Sequence, residues 1–276
     1  MNSYDFETRL LLLKPKVIEA GIKIKSIRDR GEMKTEVKSD GSFVTNADIW
    51  ANQFFTDVIG REFPGEVIIG EESTDKLYEA GSPFVWYIDP IDGTATYVEG
   101  GKDYYILIGL CVNGVPVFGI HYHPESGDLI YGYTGKKPHI IHSRQRSEPI
   151  KLRTTFWDET ARIYLKTYEK ELRDQVKAFG IRRATYSKHT VDMIAPLFAR
   201  AEGYVSYRPG HFWDLAAPAA IMHSAGFIDS TLARNGTEPI LFNDGSVVTN
   251  FFYSLPPDAP ETFINHIQGI HKQRLL

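Results

Sequence analysis

A run of β-favouring apolar residues, Phe84–Ile88, leads directly into a group of polar side chains. This group is Asp89-Pro90-Ile91-Asp92-Gly93-Thr94, in which proline and glycine indicate a turn. The run predicts a buried strand, and carboxylates at the end of a buried strand are unfavourable unless a cation pairs with them. Carboxylate oxygens suit Mg²⁺, which also binds water and substrate phosphate. The segment therefore predicts a metal-dependent phosphate site, although Asp and Gly also form ordinary turns.

Two further segments place carboxylates at the ends of predicted elements. Val67–Gly70 predicts a short apolar strand, which Glu71 and Glu72 follow. Asp214 stands just ahead of an alanine-rich run that predicts a helix ending near Gly226. Glu71 and Glu72 could instead be a solvated charge pair, and Asp214 could simply cap its helix. Together with the first segment, however, they favour a composite acidic site.

A fourth carboxylate, that of Asp48, lies at the start of a predicted amphipathic helix. The polar, glycine-containing segment Lys38–Ala47 precedes it, and the apolar spacing in Ile49–Ile59 is helical. An acidic residue in the first turn of a helix commonly interacts with the helix dipole. The functional interpretation is that Asp48 accepts a proton from Thr94, whose oxygen then orients a water molecule.

These four segments together resemble the inositol monophosphatase family, part of the lithium-sensitive, magnesium-dependent phosphatases. Their order and spacing fit the family from about Lys38 to Gly226. The motifs that carry the resemblance are Val44-Thr45-Asn46-Ala47-Asp48, Gly70-Glu71-Glu72-Ser73, Asp89-Pro90-Ile91-Asp92-Gly93-Thr94 and Trp213-Asp214-Leu215-Ala216-Ala217. The resemblance implies an α+β fold, a layered α-β-α-β-α sandwich like that of inositol monophosphatase and fructose-1,6-bisphosphatase. Residues 1–276 would form one catalytic domain of two halves, with the metals at their seam and the chain crossing near residues 142–151.

The resemblance also implies a role for each acidic residue. The residues implied for the first metal are Glu71, Asp89, the main-chain carbonyl of Ile91 and Thr94. Those implied for the second metal are Asp89, Asp92 and Asp214, and Glu71 with waters would hold a weaker third. The implied catalytic residues are Asp48, Thr94 and Glu71, of which Asp48 and Thr94 would position the attacking water. The amides of Gly93, Thr94 and Ala95 would face the phosphate at a helix start.

A phosphomonoesterase with two or three Mg²⁺ ions per site follows from this resemblance. The ions would neutralise the phosphoryl oxygens and activate a water for in-line attack on phosphorus. No covalent enzyme intermediate is expected. The aspartyl-phosphate route needs an Asp-x-Asp pair, whereas Asp89 and Asp92 are three residues apart.

The chain departs from the family pattern where relatives bind the substrate. Inositol-selective members have a glutamate seven residues before the aspartate that corresponds to Asp214, and this chain has Tyr207 followed by Arg208. Lys188 falls near the place where relatives contact the substrate with small hydroxyl residues. We therefore expect Lys188, Tyr207 and Arg208 to contact the substrate, although either cation could be a solvated surface charge.

Three functions remain open on these residues. The first is hydrolysis of a small polyol phosphate, with inositol monophosphate as the best candidate. The second is a 3′(2′),5′-bisphosphate nucleotidase acting on adenosine 3′,5′-bisphosphate, because Lys188 and Arg208 could bind a second anionic group, arginine bidentately. The third is a non-catalytic relative that binds metal and a phosphorylated ligand, which the complete set of matched motif residues disfavours.

Two other features have a structural interpretation. Pro218 replaces a common glycine after Asp214, and we expect it in the first turn of its helix, where proline is tolerated. His121 and His123 flank Tyr122 at strand spacing and should face the same side of a sheet. A zinc site would need more ligands nearby, so we interpret both as strand histidines and keep zinc as a minor alternative.

The remaining pattern predicts the order of the other elements. A helix is expected over about residues 5–29, bent or bounded at Pro15. Four strands are expected over residues 104–141, and Asn113-Gly114 is a strong hairpin signal between two of them.

Composition limits the class of partner. The 276 residues include 31 Lys and Arg against 35 Asp and Glu, a net charge of −4, which gives no support for a nucleic-acid polymer or a membrane as partner. The single cysteine, Cys111, lies in an apolar run and cannot form an internal disulfide, so we expect a reducing compartment. No stretch reaches transmembrane length and no signal-peptide pattern is present, so the cytoplasm is the expected location. A small phosphorylated substrate and a homodimer are the expected partners, the dimer from the resemblance alone.

Overall fold

A seven-stranded and a six-stranded β-sheet form the framework of the protein. The computed structural model describes residues 5–73, 82–143, 146–151, 157, 161–167, 169–178, 182–183, 192–198, 201–208, 210–233, 236–238 and 251–274. The α-helices are α1 Phe6–Asp29, α2 Asn46–Glu62, α3 Thr94–Val98, α4 Lys170–Ala178, α5 Phe212–Ser224 and α6 Glu261–Arg274, and a 3₁₀ helix spans Asp192–Phe198. None of the helices in these ranges is long and apolar enough to cross a membrane.

The first sheet has the strand order β3-β4-β5-β6-β7-β8-β9 and the second the order β11-β10-β12-β15-β13-β14; β1 and β2 form a separate hairpin. The strands of the hairpin and the first sheet are β1 Thr35–Val37, β2 Phe43–Thr45, β3 Val67–Gly70, β4 Phe84–Asp92, β5 Tyr105–Val112, β6 Val115–His123, β7 Asp128–Tyr133, β8 Lys136–Ile141 and β9 Glu148–Pro149. Those of the second sheet are β10 Arg162–Lys166, β11 Arg182–Arg183, β12 Gly203–Ser206, β13 Ile228–Ala233, β14 Gly236–Glu238 and β15 Phe252–Leu255. β3 pairs parallel with β4, and β10 pairs parallel with both β11 and β12.

The helices lie in three layers around the two sheets. Side chains of α1 and α2 pack on one face of the first sheet, where they share a core with Trp86 and Ile88 of β4. Tyr87 of the same strand points to the opposite face and shares a second core with α5 and with β12 and β15 of the second sheet. The outer face of the second sheet packs against α4 and α6. This order confirms the expected α-β-α-β-α sandwich.

Strand β4 is buried on both faces, which explains its continuous apolar sequence. It continues further than expected, because the strand ends at Asp92 rather than at Ile88. Asp89 lies opposite Leu107 and Asp92 lies opposite Tyr105, so β4 has one more residue than β5 between these pairs. The extra residue is a bulge, and the turn comes only at Gly93, whose φ is 91°. Asp89 and Asp92 are therefore fixed by a strand rather than by a loop.

Several sequence predictions of elements are confirmed. The N-terminal helix spans Phe6–Asp29, although it runs through Pro15 without ending there. The four strands expected over residues 104–141 are β5 to β8. Asn113 and Gly114 join β5 to β6 with φ values of 51° and 78°, the positive pair that a two-residue type I′ turn needs. The division of the domain near residues 142–151 stays a prediction.

Helix α5 lies unusually close to the first sheet, and two glycines permit this approach. A Cβ atom on Gly109 would come within 2.6 Å of the Ala217 backbone nitrogen. A Cβ atom on Gly119 would come within 2.3 Å of the Ala217 carbonyl oxygen. Any larger residue at either position would push α5 outward, and Asp214 in its first turn would move with it.

Two expectations about α5 were wrong. The helix begins at Phe212, so Asp214 lies inside its first turn instead of ahead of it. Pro218 is the seventh residue of the helix and therefore lies beyond the first turn. Because proline has no N–H, the carbonyl of Asp214 receives no helical hydrogen bond from this position.

The two histidines of β6 are buried strand residues on one face of the sheet, as their spacing predicts. Both rings pack against Tyr105, with centroid distances of 4.6 Å for His121 and 5.0 Å for His123. Burial lowers the pKa of His121 to about 3, so its ring is neutral. In the described part of the chain, no group of three or more His, Cys, Asp or Glu side chains around these histidines has the arrangement of a zinc site.

Candidate active site

The centre of the candidate site is Asp89, whose side chain is buried at the end of β4. Burial raises the pKa of Asp89 well above its ordinary value, and repulsion from neighbouring carboxylates raises it further. The neighbours that act on it are Glu71, Asp92, Asp214 and Asp48. One carboxylate oxygen of Asp89 accepts a hydrogen bond from the Ile91 amide at 3.0 Å, which fixes the side chain against its own strand. The structure thus brings together the acidic residues of all four sequence motifs.

Asp214 reaches Asp89 from the opposite side of the site, on the first turn of α5. Its Oδ2 atom accepts a hydrogen bond from the His211 amide at 3.1 Å. Burial raises the pKa of Asp214 to about 6, despite this hydrogen bond, and its carboxyl group is also hydrogen-bonded to Asp89. Two carboxyl groups can form that contact only if they share a proton or a cation takes its place.

Asp48 and Thr94 form a second contact, between a carboxyl group and a hydroxyl, beside the pair of Asp89 and Asp214. The Thr94 hydroxyl lies 3.1 Å from Asp48 Oδ1 and 2.9 Å from the Ile91 carbonyl oxygen. The other oxygen of Asp48 accepts hydrogen bonds from the amide of Thr45 at 2.8 Å and from its hydroxyl at 2.5 Å. Burial raises the pKa of Asp48 to about 6 against these hydrogen bonds. The geometry expected from the sequence, with Thr94 bonded to Asp48, is present.

Thr45 explains why Asp48 is held so firmly. It is the N-cap of α2, and its hydroxyl lies 3.2 Å from the Ala47 amide and 3.4 Å from the Asp48 amide. Asp48 completes a capping box by accepting from the Thr45 amide. The Thr-x-x-Asp spacing in the sequence is the signal that could have identified Thr45 as this cap. The same carboxylate therefore caps a helix and faces the candidate site.

Lys38 is a member of the site that sequence reasoning missed. It lies just after β1, and its Nζ atom lies 2.8 Å from Glu71 Oε1 and 2.5 Å from Glu72 Oε1. Although burial opposes the charged form, these two partners raise the pKa of Lys38 above its ordinary value. Glu71 is thus paired with Lys38, and no three of the acidic side chains in the described ranges converge as a complete metal-binding group.

The residues present nevertheless fit a divalent cation. Asp89 is buried and in contact with the half-buried Asp214, and Glu71 and Asp92 act on the same position. Carboxylate oxygens at this density are the donors that Mg²⁺ binds in proteins. Binding of Glu71 to such an ion would replace its ion pair with Lys38.

The turn after β4 presents exposed backbone next to these carboxylates. Gly93 and Ala95 are exposed, and Thr94 between them is half-buried. Gly93 has the left-handed conformation, and a Cβ atom there would lie 3.0 Å from the Asp103 carbonyl oxygen. Glycine is therefore required for the turn that starts α3 beside the site.

The structure describes two of the three residues that we expected to contact the substrate. Lys188 lies outside the described residues. Tyr207 is not brought to the carboxylates: it is buried in the outer core of the second sheet, and its hydroxyl donates to the Ile267 carbonyl at 2.9 Å. Arg208 is half-buried just beyond the end of β12, where its amide donates to the Ser206 hydroxyl oxygen.

The structure places a cation, Lys166, where its charge acts on Asp214, and the sequence did not indicate this residue. Lys166 is the last residue of β10, and its positive charge acts on the Asp214 carboxyl group. Tyr164 of the same strand packs in the core between the sheets, while Leu165 packs in the outer core. Because side chains alternate along a strand, Lys166 points to the same side as Tyr164, toward α5.

Gly70 shows how tightly the Glu71 turn is packed. A Cβ atom on Gly70 would lie 1.9 Å from Asn52 Oδ1 and 3.0 Å from the Ser73 hydroxyl oxygen. We expect Gly70→Ala to lower the free energy of unfolding by about 1–3 kcal/mol and to displace Glu71. In chemical denaturation, the loss of unfolding free energy in the double variant Gly70→Ala/Asn52→Ala should be smaller than the sum of the losses in the two single variants.

Gly60→Ala is the matched control for this substitution. Gly60 is exposed in α2, and among the residues that the structure describes only Ile68 Cδ1, at 3.8 Å, comes near a Cβ added there. Alanine should raise stability there by up to about 1 kcal/mol. If Gly70→Ala were as harmless as Gly60→Ala, the packing described for the Glu71 turn would be incorrect.

Comparison with known proteins agrees with this arrangement. The model of the inositol monophosphatase family matches residues 12–271. A relative from Synechocystis sp. named inositol-1-monophosphatase is 29% identical over 237 residues, which are 82% of this chain and 79% of the relative.

Two solved structures share the fold at lower identity. An IMPase/NADP phosphatase complexed with Mg²⁺ and phosphate has a TM-score of 0.73 and 19% identity, with 95% of each chain covered. CysQ from Bacteroides thetaiotaomicron, a bacterial member of the inositol monophosphatase family, has a TM-score of 0.70 and 19% identity, with 94% of this chain and all of the other covered. At these identities the likeness shows the fold alone.

Proposed function

Because this chain belongs to the inositol monophosphatase family, a family of metal-dependent phosphoric monoester hydrolases, we propose that it hydrolyses a small phosphate monoester with Mg²⁺. Inositol monophosphate is the first candidate substrate. The observation that carries the proposal is the contact between the carboxyl groups of Asp89 and Asp214, which have further carboxylates beside them. Such an arrangement is unfavourable in a purely structural role and favourable around a cation.

The chain supplies oxygen ligands for two or three Mg²⁺ ions. The residues that would hold them are Glu71, Asp89, Asp92 and Asp214, with the Ile91 carbonyl and the Thr94 hydroxyl. Bound there, the ions would neutralise phosphoryl oxygens and lower the pKa of a bound water. Lys38 would balance the charge of Glu71 and Glu72 when fewer ions are present.

Asp48 and Thr94 are the proposed groups that orient the attacking water. The Thr94 hydroxyl hydrogen points to an acceptor of the protein, either Asp48 or the Ile91 carbonyl. The Thr94 oxygen therefore keeps a lone pair that can accept a hydrogen bond from water. This positioning requires the ionised form of Asp48. We further propose that the amides of Gly93, Thr94 and Ala95 face the substrate phosphate.

Proton release on Mg²⁺ binding is a direct consequence of the raised pKa values. Without metal, the pKa of Asp214 is about 6 and that of Asp89 is well above its ordinary value, so protons compete with the ion. We expect the apparent affinity for Mg²⁺ to fall by at least about tenfold from about pH 8 to about pH 6. Calorimetry in two buffers of different ionisation enthalpy measures the protons released. An affinity that does not change with pH would contradict the assignment of the ligands.

A second candidate substrate has two anionic groups. Lys166 beside Asp214 favours it, since a cation at the rim of the site can bind a second phosphate. Arg208 and Lys188 are further candidates for this contact. In this case the chain would act as a 3′(2′),5′-bisphosphate nucleotidase, with adenosine 3′,5′-bisphosphate as the substrate to test.

The experiment that decides between the candidates is phosphate release from inositol 1-phosphate and adenosine 3′,5′-bisphosphate by four proteins. These are the wild type, Lys166→Met, Arg208→Ala and, as a control, Lys170→Met, because Lys170 is exposed at the start of α4. If the substrate is a bisphosphate, Lys166→Met and Arg208→Ala lower kcat/KM far more for adenosine 3′,5′-bisphosphate than for inositol 1-phosphate. Equal losses on both esters would remove the second candidate, and absence of turnover on either by the wild type would refute the proposed function.

Two further proposals concern the oligomeric state of the protein and its location in the cell. We propose a homodimer because the family resemblance implies one. A mass of 31.3 kDa in light scattering, which is that of the monomer, would contradict it. We propose a cytoplasmic location because Cys111 is a buried free thiol, as in proteins of reducing compartments.

A further inference from the structure

A cluster of charged and aromatic side chains lies outside the acidic site, where α1 meets α3 and the turn after β6. We call it the Arg28 cluster, and its members are Arg28, Tyr97, Tyr104 and Glu125. The guanidinium carbon of Arg28 lies 5.1 Å from the ring centres of both Tyr97 and Tyr104. The two rings meet edge to face, with centroids 5.0 Å apart. Two adjacent aromatic rings, both from the segment that follows Thr94, thus lie together on one side of the Arg28 cation.

Glu125 fixes the position of Arg28 within this cluster. Its Oε1 atom lies 2.6 Å from Arg28 Nη2 and 2.6 Å from the Tyr104 hydroxyl. Its Oε2 atom lies 3.1 Å from Lys25 Nζ. Burial alone would raise the pKa of Glu125, but hydrogen bonds from Tyr104 and Lys25 hold it below its ordinary value. The carboxylate is therefore ionised at neutral pH and has partners on both oxygens.

The cluster contacts the segments that flank α3 on both sides. Arg28 Nη1 donates to the Gly101 carbonyl at 2.7 Å, and the Gly101 amide donates to the Thr96 carbonyl at 2.8 Å. The Tyr97 hydroxyl donates to the Ile24 carbonyl of α1 at 2.8 Å. At the other end of the helix, the backbone of Tyr104 lies within van der Waals contact of the position that a Cβ atom on Gly93 would take.

α3 depends on such contacts because it is only five residues long. A helix of this length is not stable by itself in water, and the left-handed Gly93 before it does not limit its direction. The helix nevertheless carries Thr94, whose hydroxyl must stay within hydrogen-bond distance of Asp48. Its orientation must therefore come from the elements it touches.

We infer that Arg28 and Glu125 are positioning residues for Thr94: they hold α3 against α1 so that the Thr94 hydroxyl stays on Asp48. The inference rests on the proposed function, because it concerns the group that orients the attacking water. Neither side chain touches the acidic residues of the site. Their effect passes through Gly101 and Tyr97 to α3 and from there to Thr94.

The first test is kinetic and uses Arg28→Met, Glu125→Gln and the control Lys23→Met. Lys23 is exposed on the same helix, so its replacement removes a cation without touching the cluster. At a temperature well below unfolding, we expect Arg28→Met to lower kcat by about 10–100-fold with KM almost unchanged, as for residues that orient a catalytic ligand. Glu125→Gln should lower kcat less, and Lys23→Met should not change it. Arg28→Lys should recover only part of the loss, since one ammonium cannot match the planar fork of arginine.

Combination with Thr94→Val shows whether the effect passes through Thr94. If it does, Arg28→Met adds little to the loss already caused by Thr94→Val. If the fold-loss of kcat in the double variant equals the product of the two single fold-losses, Arg28 acts by another route, and the inference is overturned. A wild-type protein with no activity would instead refute the proposed function, so the two failures are distinguishable.

A measurement without metal or substrate completes the test. Hydrogen exchange of the amides in residues 94–101 should become faster in Arg28→Met, while exchange in α5 stays as in the wild type. Lys23→Met should leave both regions unchanged. Unchanged exchange in residues 94–101 of Arg28→Met would contradict the positioning role, whatever the kinetic result.

Discussion

Asp89→Asn should reduce Mg²⁺-dependent phosphate release by at least about 10³-fold while making the metal-free protein more stable. The loss of activity follows because Asp89 is the carboxylate that both proposed metal positions share. The gain in stability follows because folding raises the pKa of Asp89 far above its ordinary value through burial and neighbouring carboxylates. Because the neutral amide removes this unfavourable charge, the metal-free variant should have a higher free energy of unfolding than the wild type at neutral pH.

The pH dependence of this gain has a definite sign. A carboxyl group with a raised pKa destabilises the folded state at pH values above its unfolded pKa, and the penalty disappears as the pH falls toward the unfolded value of 3.8. The advantage of Asp89→Asn in urea denaturation should therefore be largest near neutral pH and should shrink toward about pH 4. The Mg²⁺-induced rise in Tm that we expect for the wild type should be absent in the variant. A variant that is less stable than the metal-free wild type at neutral pH would contradict the account of this residue.

Thr94→Val should lower kcat by about 10²–10³-fold, and Thr94→Ser should keep most of the activity. Valine has nearly the shape of threonine but removes the hydroxyl that lies between Asp48 and the Ile91 carbonyl. Serine keeps that hydroxyl and loses only a methyl group. The measurement is kcat and KM for the same substrate at saturating Mg²⁺, with Tm as the control for folding.

Thr8 offers a matched control for this pair of substitutions. Its hydroxyl also donates to an aspartate, Asp5, at the start of a helix, but far from the acidic residues in the chain and in the fold. Thr8→Val should cost stability at the start of α1 and leave kcat unchanged. Similar kcat values for Thr94→Val and Thr94→Ser would show that the hydroxyl has no part in the reaction.

Much of the fold could be predicted from local sequence because local physics decides it. The run Phe84–Ile88 is apolar at every position, which only a strand buried on both faces requires, and β4 is such a strand. Asn113-Gly114 adopts the positive φ values for which this pair is suited. The start of α5 was harder, because His211 is not one of the usual N-cap residues and the aspartate that marks the helix lies three residues further on.

Only part of the candidate site could be predicted from the sequence. Its carboxylates stand beside strand and helix signals, and the four motifs meet around Asp89. Lys38 was not assigned because its pairing with Glu71 joins residues 33 apart in the chain. The orientation of Tyr207 was not foreseeable either, since it depends on which face of β12 the preceding residues occupy. The bond between Arg28 and Glu125 spans 97 residues and leaves no local pattern.

The central claim is that the carboxylates around Asp89 hold the divalent ions with which this protein hydrolyses a phosphate monoester. The most direct test is phosphate release by the chelator-treated wild type from inositol 1-phosphate, adenosine 3′,5′-bisphosphate, fructose 1,6-bisphosphate and histidinol phosphate, before and after Mg²⁺ is restored. We predict no turnover without metal and rapid turnover of at least one ester once Mg²⁺ is returned, with none by Asp89→Asn under either condition. Equal turnover with and without Mg²⁺, or full activity of Asp89→Asn, would contradict the account.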